Sequence, residues 1–93
     1  MKGKIAIFAL AVAAILLAGC VQQQETIKIG AILPLTGETM VWGENSRNGM
    51  QLAVEEINSA GGINGKLIEI IYEDSQCNPS KAVSSIQKLV SKY

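Results

Sequence analysis

The chain has 93 residues and balanced charge, eight Lys and Arg against eight Asp and Glu, with no histidine and two cysteines. Without histidine, the Ser-His-Asp and Cys-His arrangements are excluded, and a zinc site has too few of its preferred ligands. Nothing is basic enough to hold a nucleic-acid backbone, no residue pattern calls for a cofactor or metal, and no catalytic constellation is present.

Lys2 and Lys4 precede an uninterrupted run of apolar and small residues from Ile5 to Ala18, matching the charged and apolar regions of an export signal peptide. The run is short of the roughly twenty residues needed to span a bilayer. It closes in Leu17-Ala18-Gly19-Cys20, which resembles the lipobox of bacterial and archaeal lipoproteins and implies lipid on the Cys20 thiol. A plain secretory signal with an incidental Cys20 is the alternative. Removing residues 1–19 takes away Lys2 and Lys4, so six basic residues face eight acidic ones and the net charge is about minus two. Residues 20–26, with Gln22, Gln23 and Gln24, then read as a short polar tether.

Residues 27–33 form an apolar run with Lys28 as the single charge, consistent with a strand buried on both faces of a parallel sheet. Pro34 ends it, because proline has no N–H for a ladder and holds Leu33 extended. Turn residues follow in Leu35-Thr36-Gly37. Beyond them Met50, Ala53, Val54 and Ile57 make one helical apolar stripe, and Gly61 and Gly62 form its stop signal. Strand, connection and returning helix are half of a βαβ unit.

Asn64 and Gly65 supply a tight turn, after which residues 66–74 read as a second strand with Glu69 the only charge in its middle. Glu73 and Asp74 end that strand, where one could reach the crevice or hold the hinge, but an ordinary solvated terminus is expected. Asn78 and Pro79 are N-cap and first residue of a second helix whose apolar stripe is Ala82, Val83, Ile86, Leu89 and Val90. A right-handed crossover calls for a third parallel strand, and the residues run out before it, so the chain reads as the N-terminal piece of a longer protein. Glu55 and Glu56 are adjacent and diverge on their helix, which argues against paired carboxylate catalysis. Gly37 and Gly43 are too far apart for a phosphate loop.

From Ile27 to Tyr93 the sequence resembles the start of the leucine/isoleucine/valine-type periplasmic (type I) binding proteins of branched-chain amino-acid ABC transporters. The resemblance rests on Ile29-Gly30-Ala31 through Pro34-Leu35-Thr36-Gly37, Trp42-Gly43, Gly49 with Leu52 to Asn58, and Gly61 to Gly65, continued by Tyr72-Glu73-Asp74, Asn78-Pro79 and Ala82. It implies an α/β, β-α-β-α start of a doubly wound parallel-sheet lobe. Residues 27–93 would then be part of the first of two lobes that close on a solute. The first strand would lie between the second and an absent third, so that residues 35–43 face the crevice beyond the strands' carboxyl ends.

In this family an aromatic residue placed like Trp42 lines the cleft, which implies that role here; a core or lobe-surface anchor is the alternative. Thr36 and Gly37 are weaker ligand candidates that more readily shape the turn, though a backbone N–H at the helix start offers a place for a carboxylate. Cys77 matches a cysteine that in some members pairs with one after the third strand, which would leave it free here; a surface residue unpaired even in the full protein is the alternative. The implied role is an extracytoplasmic, lipid-anchored receptor handing a small amino acid to an ABC permease. A sensor of the same fold, or an α/β enzyme whose site lies elsewhere, are the alternatives.

Overall fold

The structure is a computed structural model and describes residues 2–18 and 25–93. Its elements run α1 (Lys2–Ala18), β1 (Thr26–Leu33), α2 (Met40–Ser59), β2 (Leu67–Asp74) and α3 (Pro79–Lys92). Among the described residues α1 makes no contact with another element, and Ile5, Ile7, Phe8 and Leu10 stand exposed along it. No helix among the described residues is long and apolar enough to cross a membrane. Cys20 and the tether residues up to 24 lie outside the described residues.

β1 and β2 pair in parallel, in register from Thr26 beside Leu67 to Leu33 beside Asp74. Successive strand residues point to opposite faces, and this alternation decides where the helices sit. Arg47 of α2 lies over the Tyr72 ring at 4.9 Å. The next residue, Glu73, pairs with Lys88 of α3 at 2.7 Å. The two helices therefore cover opposite faces of the sheet. Gly30 lets α3 approach, since a Cβ there would lie 2.8 Å from Leu89 Cδ1.

Several stop signals take the form expected of them. Gly61 and Gly62 hold φ of +102° and +79°, and Gly62 N donates to the Ile57 carbonyl at 2.9 Å, closing α2. Asn64 (φ +52°) and Gly65 (φ +77°) turn the chain, with Ile63 and Lys66 exchanging backbone bonds of 2.8 and 3.0 Å. The Asn78 side chain accepts from Lys81 N at 3.2 Å as the cap of α3, with Pro79 beginning the helix.

The expectation that the first strand is buried on both faces does not hold among the described residues. Ala31 is buried, but Ile29 is 46% exposed. With two strands, β1 has one edge unpaired, and each helix covers only part of its face. The α2 stripe is likewise covered in part, with Val54 and Ile57 half-buried and Met50 and Ala53 exposed. On the other face Ala82 and Leu89 are half-buried, while Ile86 and Val90 line an open groove with Gly30, Ile32, Ile71 and Tyr93.

At the carboxyl ends of the strands the connections diverge: the one after β1 leads to α2 on one face and the one after β2 to α3 on the other.

Candidate functional site

At that end β1 delivers Leu33 and then Pro34, and the chain turns out of the sheet. The segment 35–43, expected to face the crevice, divides in two: Leu35 to Thr39 are the connection, and Met40 onward is already helix. Gly37 adopts φ +89°, a conformation that disfavours any side chain, and Met40 N donates to its carbonyl at 3.2 Å. Thr39 precedes the helix without a side-chain cap, so its hydroxyl does not satisfy the amides of the first turn.

Trp42 lies in this first turn and is 74% exposed, so the indole is not part of the core. Its neighbour explains how the turn is held. Gly43 is buried against the strand exit, where a Cβ would come within 1.8 Å of the Pro34 carbonyl oxygen. Residues next to each other on a helix point about 100° apart, so seating Gly43 on Pro34 turns Trp42 away from the sheet.

Asp74 joins the two strand ends. Its Oδ1 accepts from Leu35 N at 2.8 Å and from Gln76 N at 2.9 Å, and its Oδ2 accepts from Thr36 Oγ1 at 2.5 Å. These donors hold the carboxyl below its ordinary value of 3.8, the Thr36 hydroxyl contributing most and the Leu35 amide next. The expectation of an ordinary solvated terminus at Glu73 and Asp74 is therefore corrected: both are partnered, because the register brings Asp74 level with Leu33 and α3 brings Lys88 to Glu73. That ion pair raises the Lys88 ammonium above 10.5, first through the hydrogen bond and then through the charge of Glu73.

Thr36 is accordingly engaged in holding the turn, and Gly37 in making it. Behind them Ser75 is buried, its N–H donating to the Leu33 carbonyl at 2.9 Å and its Oγ accepting from Cys77 N at 3.2 Å. Cys77 is free and exposed. Gln76 and Cys77 both hold positive φ, of +50° and +53°. No cluster of His, Cys, Asp and Glu fit to hold a metal occurs among the described residues. The sequence offered a role for one of these acids only as an alternative and could not name the Asp74 partners, because they depend on strand register; the visible signal was an acid ending one strand and a hydroxyl just past the proline that ends the other.

Two parallel strands with a helix on each face, in the order β-α-β-α, are the start of a doubly wound α/β lobe. The chain belongs to the periplasmic binding protein family, which it matches over residues 26–93. It is 41% identical over 66 residues, 71% of this chain, to the leucine-, isoleucine-, valine-, threonine- and alanine-binding protein of Pseudomonas aeruginosa, of which those residues are 18%. Among solved structures it is similar to the branched-chain amino acid transporter substrate-binding protein LivJ of Streptococcus pneumoniae, solved with isoleucine. The identity is 41% and the TM-score 0.69, over 73% of this chain and 20% of that one. It is also similar to a fatty acid ABC transporter substrate-binding protein of Thermomonospora curvata, at 36% identity and TM-score 0.68, over 74% of this chain and 19% of that one. The chain thus spans about a fifth of the length of these relatives.

Proposed function

We propose that this chain supplies one wall of the solute cleft of an extracytoplasmic ABC-transport receptor for branched-chain or related small amino acids. The carrying observation is Trp42, exposed in the first turn of α2 and turned from the core by the Gly43–Pro34 contact. An indole at the crevice offers a broad apolar face to an aliphatic side chain, and the start of α2 offers a favourable dipole to a carboxylate, although its Met40 and Trp42 amides already donate to the Gly37 and Thr39 carbonyls. Thr36 and Gly37 serve this wall chiefly by shaping the turn. Selectivity would come from contacts on other elements, and solute capture from closure of a second lobe. The class does no chemistry on its solute.

A chimera tests this reading: residues 26–93 replace the matching segment of LivJ, and isoleucine is titrated calorimetrically. Binding is expected, with a loss of about tenfold or more in Trp42→Ala, corresponding to at least ~1.4 kcal/mol. A folded chimera that binds isoleucine equally well with and without the indole would remove Trp42 from the wall. Residues 1–19 would direct export, and Cys20 would carry the lipid that fixes the receptor beside its permease. Because one acyl chain binds membranes only marginally, two or more are expected. Mass spectrometry of membrane fractions should find a lipid-modified Cys20 at the mature N-terminus; any other N-terminus refutes the anchor.

A further inference from the structure

We infer that Asp74 is a positioning residue of the solute wall, setting the path of the connection from Leu35 to Thr39 and through it the placement of the helical turn that bears Trp42. Its functional meaning rests on the reading of that wall given above.

Pro34 has no N–H, so Leu35 carries the first amide after β1 that must find an acceptor. The ladder does not provide one: β2 ends level with Leu33, and the next carbonyl in register, that of Ser75, receives Asn78 N at 2.9 Å. The Asp74 side chain takes the place of the missing ladder. It accepts Leu35 N on one oxygen and Thr36 Oγ1 on the other, across a sequence separation of 39 and 38 residues. The oxygen shared with Gln76 N also ties in the turn after β2, so a single carboxylate gathers the exits of both strands. Hydrogen bonds to an ionised acceptor are roughly twice as strong as neutral ones.

The order is passed on within a few residues. Gly37 follows the anchored pair, and its carbonyl receives Met40 N at the first helical residue. Two restraints then define the start of α2: the Asp74 anchor acting through Gly37, and Gly43 seated on Pro34. Trp42 lies between them in the chain.

Amide hydrogen exchange by NMR, on the chain and on the LivJ chimera at a pH where Asp74 is ionised, tests this without any solute. Asp74→Ala should speed exchange of the Leu35 amide at least tenfold relative to the Ile68 amide at the far end of the sheet. Thr36→Val, which keeps the side-chain shape but removes the donor, should speed it at least threefold, and Thr36→Ser should restore it to within twofold of the parent. Trp42 is the only tryptophan, and its acrylamide quenching should change in Asp74→Ala and Thr36→Val and return in Thr36→Ser. If Asp74→Ala does not fold, the Val and Ser pair at position 36 decides alone. Equal acceleration at Leu35 and Ile68 would mean a general loss of stability and would overturn the inference, as would an unchanged Leu35 amide or unchanged quenching. Failure of the chimera to bind isoleucine would leave these readouts intact, so the two readings fail separately.

Discussion

Asp74 and Gly43 make the site at the scale of single residues, one by supplying acceptors and the other by lacking a side chain. Because the Asp74 carboxyl titrates below 3.8 in the folded chain, its stabilising effect is complete above that ordinary value. It is lost as pH falls through the lower folded-state value. Trp42 fluorescence followed downward from neutral pH should show a transition below 3.8 that is absent in Asp74→Asn, with far-UV circular dichroism separating it from unfolding. At Gly43 two effects oppose each other. Alanine is favoured over glycine inside a helix by about 1 kcal/mol. Yet its Cβ would stand 1.8 Å from the Pro34 oxygen, a contact that forces backbone to move. Overpacking of this kind costs about 1–3 kcal/mol, so Gly43→Ala should be destabilising overall in urea titration despite the gain in helix propensity.

Elements are joined by a few side chains that satisfy backbone groups. Asn58 near the end of α2 donates to the Ile68 carbonyl at 2.9 Å and accepts from the Ile68 amide at 2.8 Å. In a strand the N–H and C=O of one residue point to the same edge, so Asn58 covers the edge of β2 turned away from β1. Asn58→Ala leaves both groups without that partner and should lower the unfolding free energy by about 1–3 kcal/mol in urea titration. The Glu73–Lys88 pair between β2 and α3 has a half-exposed lysine, and exposed pairs contribute little. Lys88→Ala should therefore shift the unfolding midpoint much less than Asn58→Ala, and most of any shift should vanish at high salt.

For the whole molecule, two helices on opposite faces of a two-stranded sheet leave apolar surface open, with Val90 78% and Ile29 46% exposed. On the proposed reading these residues would form only one wall of a crevice, and a ligand pocket normally encloses most of its solute. Calorimetry of the chain alone with leucine, isoleucine or valine should accordingly give no micromolar binding, whereas the chimera should bind.

The amino-acid sequence by itself determined the order and kind of elements from Thr26 to Lys92, since apolar periodicity, the proline exit, the glycine stops and the Asn78-Pro79 start are local signals. It also carried the family, through motifs spread along that whole stretch. Tertiary structure alone decided that Trp42 belongs to a helix, that Thr36 is engaged by Asp74, and that Glu73 and Asp74 are partnered rather than free at a strand end. These outcomes depend on which residues a parallel register brings level across some forty positions of chain, and on which face each helix covers. Neither is encoded in neighbouring residues, because loop closure and packing select among pairings that local preference leaves nearly equal.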